Sequence, residues 1–292
     1  MAVLDRIFCH FLGFFYDLTA GKFPATINIE TTNICNASCT ICPHSQMTRP
    51  KGIMEEALYR RVIDECAAQG CESVHLHNFG EPLFDPALSK RIAYAKEKGI
   101  RSVKIFTNVS LLHGQKAQDL LESGVDEIKF SIDCADREEF ESIRRGLSYE
   151  KVTSNIKRFV SLRNERHQRT PRVIVACSTT SSMRRSMDNL KTVVDEYDFG
   201  RLHNWGGQME SKKRRLRKPC TRVWRTFTIL WNGDVALCCL DFEGEVKLGN
   251  MNQASMTGIW KSPGYAKVKN DHRAGSQHQV PICRKCSKSF LW

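Results

Sequence analysis

No apolar run in this 292-residue sequence reaches the ~18 residues that a helix needs to cross a bilayer, which excludes a helical spanning membrane protein. No signal-peptide pattern opens it: a basic n-region and a small-residue cleavage site are both missing. Collagen-like repeats, coiled-coil heptads and internal repeats are absent. At 41% hydrophobic and 26% charged, the composition is globular rather than disordered. Acid is in short supply, since 32 Asp and Glu face 44 Lys and Arg, for a net charge of +12. That excess fits solubility alone, or an anionic partner such as a phosphorylated substrate, a nucleic acid or an acidic surface. Nucleic acid is the least expected of these, because no known binding module accompanies the basic residues. What the sequence has in excess is cysteine, at thirteen residues. An odd count with no signal peptide argues for metal or cluster ligation rather than disulfides.

From Pro24 onward, apolar runs fit strands at 25–30, 73–78, 101–107, 125–132, 172–177 and 201–205. Helical patterns lie near 54–69, 86–98, 114–123, 136–165 and 186–197. Gly70, Gly99 and Gly124 follow predicted helices, as C-terminal caps do. This alternation predicts an α/β fold with a parallel sheet, open or curled into a partial barrel. The pattern changes near residue 206. A basic run at 212–218 reads as a linker or as a lid that attracts an anionic substrate. Asn232-Gly233 then separates runs 226–231 and 234–239, a strong hairpin signal. Two domains are expected, 1–205 and 206–292. Residues 2–16 are apolar and read as a helix packed on the domain, with peripheral membrane contact as the alternative.

Alternation places polar side chains together. His75 and His77 share one face of the second strand, Asn28 and Glu30 one face of the first, and Lys129, Ser131 and Asp133 one face of the fourth. With the apolar faces against outer helices, the interior would be polar and suited to a hydroxyl-rich or charged substrate.

Cys35, Cys39 and Cys42 follow the first strand in a C-x3-C-x2-C spacing. Three thiolates on one loop can hold three irons of a [4Fe–4S] cluster and leave the fourth open. A zinc site would want a fourth ligand, for which His44 is near. Cys220, Cys238, Cys283 and Cys286 form a second set around the hairpin and a terminal C-x2-C. On spacing alone this set fits an all-cysteine zinc site or a fully ligated cluster. Cys239 neighbours Cys238 on a strand, so one cluster would rarely take both. The other cysteines read as small apolar residues, with Cys134 and Cys177 near strand ends that could reach a pocket.

The first spacing, after strand one of an alternating α/β chain, resembles the radical S-adenosylmethionine (SAM) superfamily. The resemblance extends to His77-Asn78-Phe79-Gly80-Glu81-Pro82, which looks like that family's Gly-Glu motif, and to Thr107-Asn108 and Ser131-Ile132-Asp133 at two strand ends. It implies a partial (β/α)6 barrel in which Gly80, Glu81, Asn108, Ser131 and Asp133 meet SAM. Ile41 departs from the aromatic residue often found before the third cysteine. The segment from Asn232 to Asp241, with Leu248-Gly249-Asn250 and Ile259-Trp260, resembles the SPASM/twitch extension, in its shortened form with one auxiliary [4Fe–4S] cluster. The spacing is most similar to that of 2-deoxy-scyllo-inosamine dehydrogenase-like enzymes.

The resemblance implies reductive cleavage of SAM to a 5′-deoxyadenosyl radical that takes hydrogen from substrate. The leading expectation is oxidation of a carbinol in a small polar substrate to a ketone. The auxiliary cluster would be the electron acceptor, and His77, Lys129 or His203 the base. The alternatives are an epimerase with a cysteine hydrogen donor, a peptide-modifying SPASM enzyme, and a non-catalytic zinc or Fe–S binding module. No leader-peptide-binding domain is recognisable, which lowers the peptide reading. The clusters imply a cytoplasmic enzyme with a flavodoxin- or ferredoxin-type electron donor.

Overall fold

The computed structural model describes residues 3–133, 136–178, 190, 192–200, 202–209 and 217–290. After a helix α1 (Val3–Thr19) come six strands: β1 (Thr26–Ile29), β2 (Ser73–His75), β3 (Ser102–Thr107), β4 (Glu127–Ser131), β5 (Arg172–Ser178) and β6 (Glu196–Gly200). Helices α2 (Glu56–Ala68), α3 (Leu88–Glu97), α4 (Gly114–Glu122), α5 (Arg137–Ile143) and α6 (Tyr149–Glu165) connect the first five. The C-terminal part holds α7 (Arg222–Arg225), β7 (Thr226–Ile229), β8 (Asp234–Ala236), β9 (Lys247–Asn250), α8 (Met256–Trp260) and α9 (Pro263–Arg273).

The nine strands form one sheet in the order β6-β5-β4-β3-β2-β1-β7-β8-β9. Strands β1 to β6 are parallel and neighbour one another in sequence order. Among the described residues the sheet ends at β6 and β9, so the barrel is not closed. β7 pairs with β1 in parallel, Thr226 beside Thr26, and β8 and β9 follow antiparallel. The C-terminal hairpin therefore extends the same sheet that carries the first cysteine loop.

Period-two alternation decides the two faces. On β3, Val103, Ile105 and Thr107 are buried while Ser102, Lys104 and Phe106 are half-buried. Val74, Ile105, Ile128 and Val175 join Val62, Ile92, Leu120 and Phe159 of the helices in one core. The opposite strand faces carry the polar residues and leave a cavity.

Three predicted elements are corrected. The 136–165 pattern is two helices, because Gly146 sits at φ 91°, where an L side chain is strained. Asp136 and Ser148 cap the two helices by accepting from the amides of Glu139 and Lys151. The sixth strand is Glu196–Gly200 rather than 201–205, since Trp205, Gly206 and Gly207 all have positive φ and turn the chain. Of the predicted helix at 186–197, residues 186–189 and 191 lie outside the described residues. The i, i+3, i+4 spacing of Leu190, Val193 and Val194 makes a single turn on the Leu190 carbonyl before β6 begins. Cys134 and positions 212–216 of the basic run also lie outside the described residues.

Candidate active site

A cavity of 590 Å³ opens on the polar strand faces, within the range of small-molecule sites. Cys35, Cys39 and Cys42 line it, and so do His77, Gly80, Glu81, Asn108, Lys129, Ser131 and His203. Asp133 is not on this wall. It is buried, and its carboxylate accepts from Arg144 Nε at 2.6 Å; the Arg144 side chain lines the cavity instead. Arg144 Nη1 reaches Cys39 Sγ at 3.8 Å.

The cysteine loop is held from both sides. Ser38 and Thr40 donate their amides to the carbonyls of Arg145 and Ile143, acceptors freed where α5 ends. Glu81 N donates to the Ile34 carbonyl at 2.8 Å. Next to it, Gly80 has φ 95°, and a Cβ there would lie 2.7 Å from the Thr32 carbonyl oxygen, so no side chain fits. His44 donates from Nε2 to the Asn33 carbonyl at 2.8 Å, because a carbonyl can only accept. That backbone bond fixes the ring as part of the loop's frame.

Burial pushes the Cys35 thiol up to about 11 and Cys42 to about 12, and raises Cys39. Protonated thiols must lose those protons to bind metal. Among the described residues no three His, Cys, Asp or Glu side chains converge as ligands of a single ion. A cubane does not require that, since each thiolate meets a different iron. The three separate thiols around one cavity fit a cluster with an open iron.

The neighbouring polar groups fit an amino acid ligand. Glu81 is buried, and its carboxylate accepts from Thr107 Oγ1 at 2.7 Å and from the amides of Asn108 and Leu83 at 2.6 and 3.1 Å. Burial, the dominant cause, raises its pKa to about 7 against those hydrogen bonds. A carboxylate offers about four acceptor positions, so one remains for an ammonium. Beside it Asn78 lines the cavity with a buried Oδ1 that has no donor. Asn108 donates to Asn36 Oδ1 at 3.0 Å and approaches Cys35 Sγ at 4.0 Å, joining this pocket to the thiols.

The three candidate bases differ. Lys129 is ion-paired to Asp198 at 2.7 Å. His77 is stacked on His75 and lies 4.2 Å from Phe106, centroid to centroid. Burial holds it neutral, well below the usual imidazole range. His203, on the turn after β6, stands edge-on to Trp205. Burial, with Arg222 and Lys288 adding, lowers it to about 4. Both histidines keep a buried Nδ1 with no partner.

The second cysteine set assembles at the other end of the cavity. Cys239, Cys238, Cys220 and Cys286 all stand near Arg222, whose guanidinium their thiolates would hold charged once ionised, and Cys283 stands near Cys220 and Cys286. Of these residues Arg222 and Cys239 line the cavity. Burial raises the thiols of Cys220, Cys238 and Cys283. The turn carrying His203 is tied to this set: Asn204 donates to the Lys285 carbonyl at 2.8 Å and accepts from Ser287 N at 2.8 Å. Trp205 Nε1 donates to the Ile41 carbonyl of the first cysteine loop at 2.7 Å. All twelve cysteines of the described residues are free thiols, and Cys9, Cys66, Cys71 and Cys177 are buried in the fold. On β5 it is Ala176, not Cys177, that lines the cavity.

Residues 29–174, half of the chain, match the radical SAM superfamily, and residues 220–287 match the iron-sulfur cluster-binding SPASM domain. The chain belongs to the radical SAM superfamily. It is therefore an enzyme whose cofactors are SAM and a [4Fe–4S] cluster, with auxiliary Fe–S binding in the SPASM segment. The S-adenosyl-L-methionine-dependent 2-deoxy-scyllo-inosamine dehydrogenase of Niallia circulans is 20% identical over 91% of this chain and 94% of its own length. The GTP 3′,8-cyclase of Chlorobaculum tepidum is 30% identical over 48% of this chain, which spans only 42% of that relative. In fold, the chain matches BtrN in complex with AdoMet and 2-DOIA with a TM-score of 0.66, at 19% identity over 91% of this chain and 93% of that one. It matches Streptococcus suis SuiB bound to the precursor peptide SuiA with a TM-score of 0.72, at 14% identity over 93% of this chain and 71% of that one.

Arg144 and Arg222 were not legible as site residues. Arg222 had one signal, its place two residues after a cysteine of the second set; Arg144 had none, since only the break before α6 brings it to Cys39.

Proposed function

We propose that this radical SAM enzyme oxidises a carbinol of a small polar substrate, an aminocyclitol or sugar, to a ketone. The observation that carries this is one cavity bounded by three cysteines at one end and by Arg222 and Cys239 of the second set at the other, with the unpartnered His203 on its wall. The near full-length relationship to an aminocyclitol dehydrogenase supports the substrate class. Residues 1–205 act as the core and 206–292 as the auxiliary unit.

When bound, SAM and the clusters supply hydrogen abstraction and an electron acceptor; the chain's residues do the rest. Cys35, Cys39 and Cys42 hold the first cluster, and Cys220, Cys238, Cys283 and Cys286 the auxiliary one. Gly80, Glu81 and Asn108, with Ser131, hold SAM; Asp133 acts on that pocket through Arg144. His203, neutral at physiological pH, accepts the hydroxyl proton of the substrate. His77 and the Lys129–Asp198 pair orient hydroxyl and amino groups. The electron donor is a flavodoxin or ferredoxin type. The compartment is the cytoplasm, which the free thiols support. No helix of the described residues is long and apolar enough to cross a membrane.

A second reading rests on Cys239, whose place on the cavity wall suits a hydrogen-atom donor for epimerisation. Anaerobic turnover of aminocyclitols in deuterated water separates the two. Oxidation gives a ketone and one 5′-deoxyadenosine per product, with no solvent deuterium on carbon. Epimerisation gives deuterium at the inverted carbon and no ketone, and would overturn the dehydrogenase reading.

A further inference from the structure

Helix α1 is apolar on two opposite faces, and only one of them is covered. The inner face is built into the C-terminal part. Cys9 is fully buried, Tyr16 stands edge-on to Trp224 at 5.5 Å, and Asp17 accepts from Trp224 Nε1 and from Arg273 at 2.7 Å each. The outer face carries Ile7, Phe11, Phe14, Phe15 and Leu18, exposed by 51, 70, 55, 55 and 68%. Their steps of three and four residues make one stripe, about 16 Å long at the helical rise. Among the described residues only one other large hydrophobic side chain, Leu202, is exposed. Apolar exposure on this molecule is thus concentrated on a single helix, where solubility alone would have scattered it.

The stripe has a cationic rim. A shallow groove beside Ile7 and Phe11 is lined by Arg6, His10, Arg273 and Ser276, and Lys22 stands exposed just past the helix. The acid at the far end, Asp17, is turned inward to Trp224 and Arg273. A second copy fits poorly, because a two-fold contact would bring two such rims together on chains that each carry a net charge of +12. A long, shallow aromatic stripe with cations along its edge matches a surface with no shape of its own and negative charge at one depth. We propose that α1 docks this enzyme onto an anionic lipid bilayer, with the phenylalanines at the acyl–headgroup boundary and Arg6 and Lys22 on lipid phosphates.

The test is sedimentation of the full-length, iron-loaded protein with vesicles of phosphatidylcholine, with and without phosphatidylglycerol. Wild type should sediment with the phosphatidylglycerol vesicles and lose binding as salt rises. Phe11→Ser with Phe15→Ser should weaken binding roughly a hundredfold or more, the worth of about two buried aromatic side chains. Arg6→Glu should weaken it less. Phe14→Trp supplies a reporter whose emission shifts to the blue on the same vesicles, so the proposal stands or falls even where the double variant folds poorly. No sedimentation of folded wild type at low salt would overturn it. Equal binding to both vesicle types would overturn the headgroup contact. A dimer in light scattering that the double variant abolishes, without vesicle binding, would assign the stripe to a second copy.

Discussion

Cys35, Cys39 and Cys42 come from one short loop directly after β1, whereas Cys220, Cys238, Cys283 and Cys286 come from three stretches of the C-terminal part that only the folded chain brings together. The first set is prearranged locally: its loop is tied by the carbonyls of Ile143 and Arg145 and by the Ile34–Glu81 bond. The second depends on β7 joining β1, and on Asn204 clasping the Lys285–Ser287 segment. A local site fails through its chemistry. A site assembled from distant segments fails through its scaffold as well. The cavity joins the two, so a change at either end should be felt as a different defect in one reaction.

The largest contrast should come from removing each set. Cys35→Ala/Cys39→Ala/Cys42→Ala should abolish formation of 5′-deoxyadenosine, read by chromatography of anaerobic turnovers, while the melting temperature stays close to wild type. Cys283→Ala/Cys286→Ala should do the reverse: SAM is still cleaved, ketone formation stops, and the melting temperature falls because the C-terminal segment loses its anchor. Loss of SAM cleavage in the second variant would erase the proposed division of labour.

A smaller effect is expected at His203. His203→Gln should lower kcat by roughly 10²–10⁴-fold, the usual worth of a general base, with SAM binding unchanged by calorimetry. The pH profile sharpens this. With His203 held at about 4 by burial, wild-type turnover should stay flat down to about pH 5, where an ordinary imidazole would halve the rate near 6.5. The same shift bears on stability. Unfolding lets the ring bind a proton more readily, so its contribution is whole above about pH 6.5 and is lost as pH falls toward 4. The wild-type melting temperature should drop across that window more than that of the Gln variant.

The smallest effect concerns the strut between the sites. Trp205→Phe removes the donor to the Ile41 carbonyl and should cost about 1 kcal/mol in denaturant unfolding. It should also broaden the EPR signal of the first cluster, whose loop loses that tie.

Much of this was readable before folding. The parallel strands follow from repeated alternation, and the polar wall of Asn28, His75, His77, Lys129 and Ser131 follows from period two. The sixth strand and the break in the 136–165 pattern were not readable. Leu190, Val193 and Val194 mimic a helix for one turn, and Gly146 looks like a residue a helix can tolerate. At the site, local motifs could be read and long-range partners could not. Asp133 stands where a ligand contact is expected, yet Arg144 meets it from a helix end that the sequence reads as mid-helix. Arg222 and Cys239 reach the cavity only because β7 continues the sheet beside β1.

The most direct test of the account is the metal content of anaerobically reconstituted protein, wild type beside Cys35→Ala/Cys39→Ala/Cys42→Ala. Two clusters give about eight irons in wild type and about four in the variant, with matching sulfide, at four per cubane. About four irons and one zinc in wild type, with zinc alone in the variant, would contradict it, because the C-terminal cysteines would then hold an ion that cannot accept an electron.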